Sequence, residues 1–172
     1  MQLWALALLT LAAAPAAAAP PQGSVGISVG ASVEGDFGWS VAPGLRGDLS
    51  WGRNTTEDVG FGVAARVDTP AFRSFRAGLG PEFIAPLGGG AQGVVVVGPF
   101  LSGDSLGAFA RLSLSAKSPN QHGSYGMHSG VFCELSGTGS GLASTALVAG
   151  IELDLGLLAL PVFAALRPLG GH

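Results

Sequence analysis

The sequence predicts an all-β fold: an antiparallel up-and-down transmembrane β-barrel of eight strands that follows a cleaved signal peptide. The first observation is that apolar and polar residues alternate along most of the 172-residue chain, as in strands with one apolar face. The second is that only 11% of the residues are charged, against roughly 25% in an average soluble domain. The third is that no apolar run of about 20 residues follows the N-terminal segment, so no membrane helix is predicted there.

Residues 1–19 have the organisation of a signal peptide. Residues 3–14 form an apolar stretch of suitable length, a proline interrupts it, and Ala17 and Ala19 offer the small residues of a cleavage site. We therefore expect residues 1–19 to be removed on export and residues 20–172 to form one barrel domain. A retained N-terminal anchor helix is the alternative.

Alternation defines the strands in order. In the first, Val25, Ile27 and Val29 alternate with small polar residues between residues 24 and 34. Further segments with the same two-residue period cover residues 39–51, 59–68, 75–83, 91–102, 106–117, 127–135, 147–155 and 158–166. Turn-like sequences such as GRNTTED, LGGG and SPNQHGS separate them. Because bacterial membrane barrels take even strand numbers, we expect eight strands, with one segment misassigned; ten is the alternative.

The charged residues of these segments all fall on the face opposite the apolar one. They are Glu34, Arg46, Asp48, Arg66, Asp68, Arg76, Glu82, Arg111, Lys117, Glu134, Glu152 and Asp154. The rest of that face is mostly Gly, Ser and Ala, and the chain contains 29 glycines. Small residues and charges of both signs suit the narrow lumen of an eight-stranded barrel, where buried ions need partners. We therefore predict a charge network that plugs the lumen.

The apolar face is predicted to contact lipid. Each strand carries about five sizeable apolar residues, which is too many for a lumen that side chains just fill. Aromatic residues near strand ends indicate girdles at the two membrane interfaces: Trp39, Trp51, Phe61, Phe72, Phe75 and Tyr125. The alternative is a soluble secreted β-barrel with its apolar face inward and a small apolar ligand inside. It requires the opposite placement of Glu34, Arg46, Asp48 and Arg66.

The whole pattern resembles the small outer-membrane β-barrel proteins of Gram-negative bacteria. Those proteins also have a signal peptide followed by alternating strands with small inward-facing residues. The resemblance covers most of the mature chain and is one of pattern. It implies localisation in the cell outer membrane, contact with membrane lipid and insertion by the outer-membrane assembly machinery. Such barrels commonly end on an aromatic residue, whereas this chain ends LRPLGGH; a short tail after a closing strand near Leu166 would account for the difference.

One segment offers candidate catalytic residues, because some small outer-membrane barrels are hydrolases that modify lipid A through Ser, His and an acid. The segment contains His122, Ser124, His128 and Ser129, with Glu134 nearby. A nucleophilic triad needs a serine hydroxyl on the imidazole and an acid that orients the ring. On one strand His128 and Glu134 would lie about 20 Å apart at 3.3 Å per residue. We therefore expect no catalytic residues here and keep a lipid-modifying enzyme as an alternative.

Other features restrict the classes of function. A single cysteine, Cys133, excludes an internal disulfide and a thiolate metal cluster. The net charge of −3 gives no reason to expect a nucleic-acid partner. The LGGG stretch is not a phosphate loop, since no lysine follows it and no helix begins there. We expect no cofactor and no metal, and a structural or surface role in the outer membrane.

Overall fold

The computed structural model describes residues 21–34, 38–52, 57–72, 74–119, 126–138 and 145–156. These residues form eight strands: β1 Gln22–Glu34, β2 Gly38–Trp51, β3 Gly60–Asp68, β4 Arg76–Gly88, β5 Ala91–Ser102, β6 Ser105–Pro119, β7 Gly126–Gly137 and β8 Thr145–Asp154. The predicted signal peptide and the alternating run at 158–166 lie outside the described residues. In the part of the chain that is described, no helix is long and apolar enough to cross a membrane.

The strands form one closed antiparallel barrel. Each strand pairs with the next along the chain, and β1 pairs with β8, with Gly26 opposite Asp154 and Glu34 opposite Ala146. The predicted all-β fold and the count of eight strands are therefore confirmed. Closure leaves no free sheet edge among these eight strands, which removes the unpaired backbone groups that an open sheet exposes.

The register fixes the tilt of the strands. Starting at Gln22 in β1 and passing through register partners once around the barrel leads back to Ser32, ten residues further along β1. For eight strands this stagger corresponds to a tilt of about 40° from the barrel axis, as small barrels require. The lumen is then just wide enough for side chains to fill it.

The connections between strands coincide with the turn-like sequences. The tightest are at residues 89–90 and 103–104; Gly89 and Gly90 have φ of 62° and 82°, in the left-handed region that favours glycine. A 3-10 turn, Pro70–Phe72, lies between β3 and β4. We call the end of the barrel that holds this turn the Trp39 end, and the opposite end, where β2 finishes, the Trp51 end.

The two faces of the wall differ in chemistry. Along β2, Leu45 is 55% exposed on the outside, and the next residue, Arg46, is 7% exposed in the lumen. The same alternation holds around the barrel, so that most large aliphatic side chains face outward and the charged and small side chains face inward. Ile84, Val94, Val96 and Val148 are aliphatic residues that are buried inside. An apolar interior would require Arg46, Asp48 and Arg66 on the outer face, and all three are buried inside.

Candidate functional site

The predicted charged residues lie in the lumen wherever their side chains are described. The buried ones are Arg46, Asp48, Arg66, Asp68, Arg76, Glu82, Arg111, Glu134, Glu152 and Asp154. Glu34 and Lys117 belong to β1 and β6, opposite Gly38 and His128 in register, but their side chains lie outside the description. The strands bring together acids and arginines from distant parts of the chain, because every inward position faces the same narrow space.

Arg46 is the centre of the network near the Trp51 end. Its Nη2 donates to the Asp48 carboxylate, lies 3.4 Å from Glu82 Oε1 and is 2.5 Å from His128 Nδ1. Its Nη1 lies 3.5 Å from Glu152 Oε1. One guanidinium therefore joins side chains of β2, β4, β7 and β8, which uses the planar fork of donors that arginine carries.

Arg111 continues the network from β6. Its guanidinium pairs with Glu152, and its Nη1 lies 3.6 Å from Glu134 Oε2. The Phe132 ring packs against it, with Arg111 Cζ 3.6 Å from the ring centroid. The aromatic face supplies favourable electrostatics to a cation that has been removed from water.

Arg66, in β3, has the same kind of environment. It pairs with Asp68 and, at 2.5 Å, with Glu134 Oε1. Its Cζ lies 4.2 Å from the Phe109 ring centroid and 5.9 Å from that of Phe100. Arg66 and Arg111 thus each combine two carboxylates with an aromatic ring.

Arg76 ends the network near the Trp39 end of the barrel. Its Nε donates to Asp68 Oδ1 at 2.6 Å, and its Nη1 donates to Ser136 Oγ at 3.3 Å. The ion pairs form one continuous series of alternating charge: Asp48, Arg46, Glu152, Arg111, Glu134, Arg66, Asp68 and Arg76. This series of ion pairs follows the lumen from one end towards the other. It satisfies the condition under which buried ions are tolerated, since each ion has at least one oppositely charged partner.

Asp48, Glu82 and His128 have the composition of a metal site. One candidate ligand atom from each lies within 4.8 Å of the others, and all three residues are buried. Arg46 Nη2, however, contacts all three residues. The guanidinium already occupies the centre of the cluster and supplies its positive charge, so the three residues fit a guanidinium better than a metal ion.

The candidate catalytic residues do not form a triad in the described part of the chain. The ring nitrogens of His128 face Arg46 and, at 3.1 Å, Glu152 Oε1. Ser129 Oγ accepts a hydrogen bond from the backbone N–H of Asp154. Glu134 lies with Arg66 and Arg111 further along the lumen. His122 and Ser124 lie outside the described residues.

Three lumen aromatics were not predicted from the sequence: Phe100, Phe109 and Phe132, all buried. The sequence does indicate their position, because Phe109 is two residues from Arg111 in β6 and Phe132 is two residues from Glu134 in β7. Residues two apart in a strand lie on the same face, so each ring shares the face of a predicted lumen charge. Inward glycines make room for these rings. A Cβ at Gly78 would lie 2.8 Å from the Phe109 ring, and one at Gly107 would lie 2.5 Å from that of Phe100.

Aromatic side chains on the outer wall lie near both ends of the barrel. Trp39, Phe72 and Phe75 are 73–76% exposed at one end. At the other end Trp51, Phe61 and Phe83 are outward register neighbours, and the rings of the last two are 5.5 Å apart. At 3.3 Å per residue and a 40° tilt, Trp39 and Trp51 are separated by about 30 Å along the axis. Tyr125, also predicted for a girdle, lies outside the described residues.

The fold and the site define an eight-stranded closed β-barrel with an aliphatic exterior and an ion-paired interior. Comparisons with protein families, with characterised proteins and with solved structures find nothing that matches this chain.

Proposed function

We propose that this chain is an integral outer-membrane β-barrel protein with a structural or surface role and a lumen plugged by its charge network. The proposal includes export by the signal peptide at residues 1–19, insertion by the outer-membrane assembly machinery and direct contact of the wall with membrane lipid. The single observation that carries it is that the apolar face of a closed barrel points outward while the ions point inward.

The outer wall supports this proposal through its extent and uniformity. Soluble monomers rarely expose a contiguous apolar patch of more than a few hundred Å². Here the aliphatic side chains continue around the barrel, for example Leu45, Val97, Leu112, Leu135 and Ile151, each 47–55% exposed. Water is a poor solvent for such a surface, whereas the hydrocarbon of a bilayer is a suitable one.

The aromatic residues at the two ends support the same placement. Transmembrane barrels have an apolar band about 25 Å tall with aromatic girdles at both interfaces. The separation of Trp39 from Trp51 is about 30 Å, and that of Phe75 from Phe83 is about 20 Å by the same geometry. These two values bracket the height of the band.

The interior supports a structural or surface role rather than transport of solutes. Arginine–carboxylate pairs and three aromatic rings fill the middle of the lumen. Two small cavities among them are each about 10 Å³, which is about the space that one water molecule needs. A lumen packed in this way has the character of a protein core in which ion pairs lie beside aromatic and aliphatic side chains.

Fractionation of cells that express the full chain tests the proposal. We expect recovery in the outer membrane, a mature mass that corresponds to loss of residues 1–19, and different gel migration of unheated and boiled samples. Recovery as a soluble periplasmic protein in the absence of detergent would contradict the membrane placement. The intact mass tests the signal peptide separately.

A further inference from the structure

Two prolines lie on the outer face of the wall at the seam between β4 and β5, the line along which these two strands pair. Pro81 is in the middle of β4 and Pro99 is in β5, and each strand also pairs with a second neighbour. Proline has no backbone N–H, so within sheets it is normally confined to edge strands, strand ends or bulges. A closed barrel has no edge strand, so these prolines remove hydrogen-bond donors from the wall itself.

The backbone carbonyl groups opposite these prolines point into the seam. A Cβ built on Gly80 would meet the Val97 carbonyl oxygen, so this carbonyl points from β5 towards β4, where the register places Pro81 opposite it. The Leu79 carbonyl points in the same way from β4 towards β5, where the register places Pro99. A hydrogen-bonded antiparallel pair exchanges two N–H···O bonds. Each of these two pairs therefore keeps one bond at most, because the proline nitrogen carries no hydrogen.

The pairing of β4 with β5 is interrupted at the same place. Register partners end with Gly78 opposite Phe100 and resume, in the same register, with Glu82 opposite Val96. The three residues between them in each strand are described but have no register partners across this seam. Among the described strands, the other seven seams are continuous over the length that the two strands share. The missing donors therefore coincide with a break in pairing that no other seam has.

Pro43, in β2, shows how a missing donor is replaced elsewhere in the wall. Its carbonyl accepts a hydrogen bond from the N–H of Thr69 at 3.0 Å. A residue with an N–H at position 43 would return a bond to the Thr69 carbonyl, but the N–H of Phe72 already donates to that carbonyl at 3.2 Å. The 3-10 turn thus supplies the donor that Pro43 lacks. Leu79 and Val97 lie within strands, where no turn can do the same.

The lumen behind the seam is largely apolar. The two strands contribute four members of a buried hydrophobic cluster: Ile84 from β4 and Val94, Val96 and Phe100 from β5. β5 contains no charged residue, and the charged residues of β4, Arg76 and Glu82, lie on either side of the interrupted stretch. Separation of the strands at this stretch would therefore expose mainly apolar groups. It would not expose a row of buried ions, which are costly to separate from their partners.

We propose that the wall opens locally at the β4–β5 seam, at residues 79–81 and 97–99, while the other seams of the described barrel stay paired. The opening is lateral, and it connects the outside of the wall with the hydrophobic cluster in the lumen. The inference goes beyond a plugged structural barrel, because apolar groups outside the wall gain access to the interior although ion pairs fill the middle of the lumen. It depends on the closed fold and not on where the barrel is located.

Amide hydrogen exchange of the unaltered barrel in detergent micelles, read residue by residue, tests the proposal. The N–H groups of Leu79 and Val97 point into the seam. Since two hydrogen bonds are missing beside them, we expect their protection factors to be lower by about tenfold or more than those of Val29 and Ile151. The last two residues are outward register partners across the continuous β1–β8 seam. Equal protection of the two pairs, whether high or low, would overturn the proposal.

Restoring the missing donors tests the cause of the opening. In the double variant Pro81→Val and Pro99→Val each carbonyl regains an N–H partner, so the protection of Leu79 and Val97 is expected to rise to that of the β1–β8 pair. Pro43→Val is the matched control and should leave their protection unchanged. Unchanged protection in a folded double variant, or an equal rise in the control, would contradict the proposal. The measurement on the unaltered barrel stands even if the double variant does not fold.

Discussion

The inner and outer faces of the barrel wall are built from the same strands yet depend on different kinds of information. Outside, neighbours such as Leu112 and Ala110 are aliphatic groups whose position matters little, provided that the face stays apolar. Inside, Glu134 is useful only because Arg66 and Arg111 lie next to it. The outer face is thus specified by composition and the inner face by particular partners. Substitutions should therefore be most costly where a partner is lost.

Loss of a shared carboxylate in the lumen should have the largest effect. Glu134→Ala leaves Arg66 with one carboxylate and Arg111 with one, and we expect it to lower the free energy of unfolding by about 3–5 kcal/mol. Urea titration of the barrel in detergent or vesicles measures this change. Leu135→Ala, at the next position on the outer face, is the control and should cost much less. Equal losses for the two variants would contradict the proposed difference between the faces.

Introduction of a charge on the outer wall should have the next largest effect and should depend on depth. Leu112 and Leu106 both face outward from β6, and Leu112 is nearer the middle of the barrel. In a bilayer, Leu112→Arg should cost about 2–4 kcal/mol and Leu106→Arg about 0–1 kcal/mol. Unfolding titrations in vesicles distinguish them. Small and equal effects would indicate that water covers both sites.

Glycines on the two faces should respond in opposite ways to the same substitution. At Gly78 a Cβ would lie 2.8 Å from the Phe109 ring, so Gly78→Ala should destabilise the barrel by about 1–3 kcal/mol. At Gly47, on the outer face, the nearest atom would be 3.9 Å away. Gly47→Ala should be neutral or stabilise by up to about 1 kcal/mol, because alanine loses less conformational freedom on folding. A similar loss at both positions, measured by urea titration, would count against a crowded lumen.

An aromatic pair on the outer face should show the smallest coupling. The rings of Phe61 and Phe83 are 5.5 Å apart and inclined at 56°. A double-mutant cycle with alanine should give a coupling energy of about 0.5–1.5 kcal/mol. The Arg66–Glu134 cycle in the lumen should give a clearly larger value. A larger coupling for the aromatic pair would reverse the order that the account predicts.

Much of the fold could be predicted because alternate residues of a strand lie on opposite faces. The parity of a residue, odd or even within its strand, therefore determines its face. From the sequence alone, parity assigns Arg46, Asp48 and Arg66 to one face and Leu45 to the other. The pairing of Arg46 with Glu152 could not be predicted in this way, because it depends on the closure of β1 against β8 and on the register around the barrel. The number of strands is ambiguous from the sequence for a related reason. The two-residue period shows that a segment alternates between apolar and polar residues, whereas only the pairing of strands shows that the barrel is closed.

The interior aromatics and the cavities were also beyond the sequence reasoning. Phe132 has the parity of a lumen residue, but hydrophobicity associates it with the outer face, so the two signals conflict. Its position against Arg111 depends on small neighbours across the barrel, as at Gly30, where a Cβ would lie 3.2 Å from the Phe132 ring. Cavities arise from packing among side chains of several strands, and no local pattern encodes them.

The accessibility of Cys133 tests the central claim most directly. This cysteine is exposed on the outer face of β7, with Leu112 and Ala149 as its register partners. Modification requires that water and a charged reagent reach the thiolate. For the barrel in lipid vesicles, we predict that a membrane-impermeant charged thiol reagent leaves Cys133 unmodified and labels it fully after unfolding in urea. Labelling of the folded protein at the rate of the unfolded chain would show that water, not lipid, covers the apolar wall.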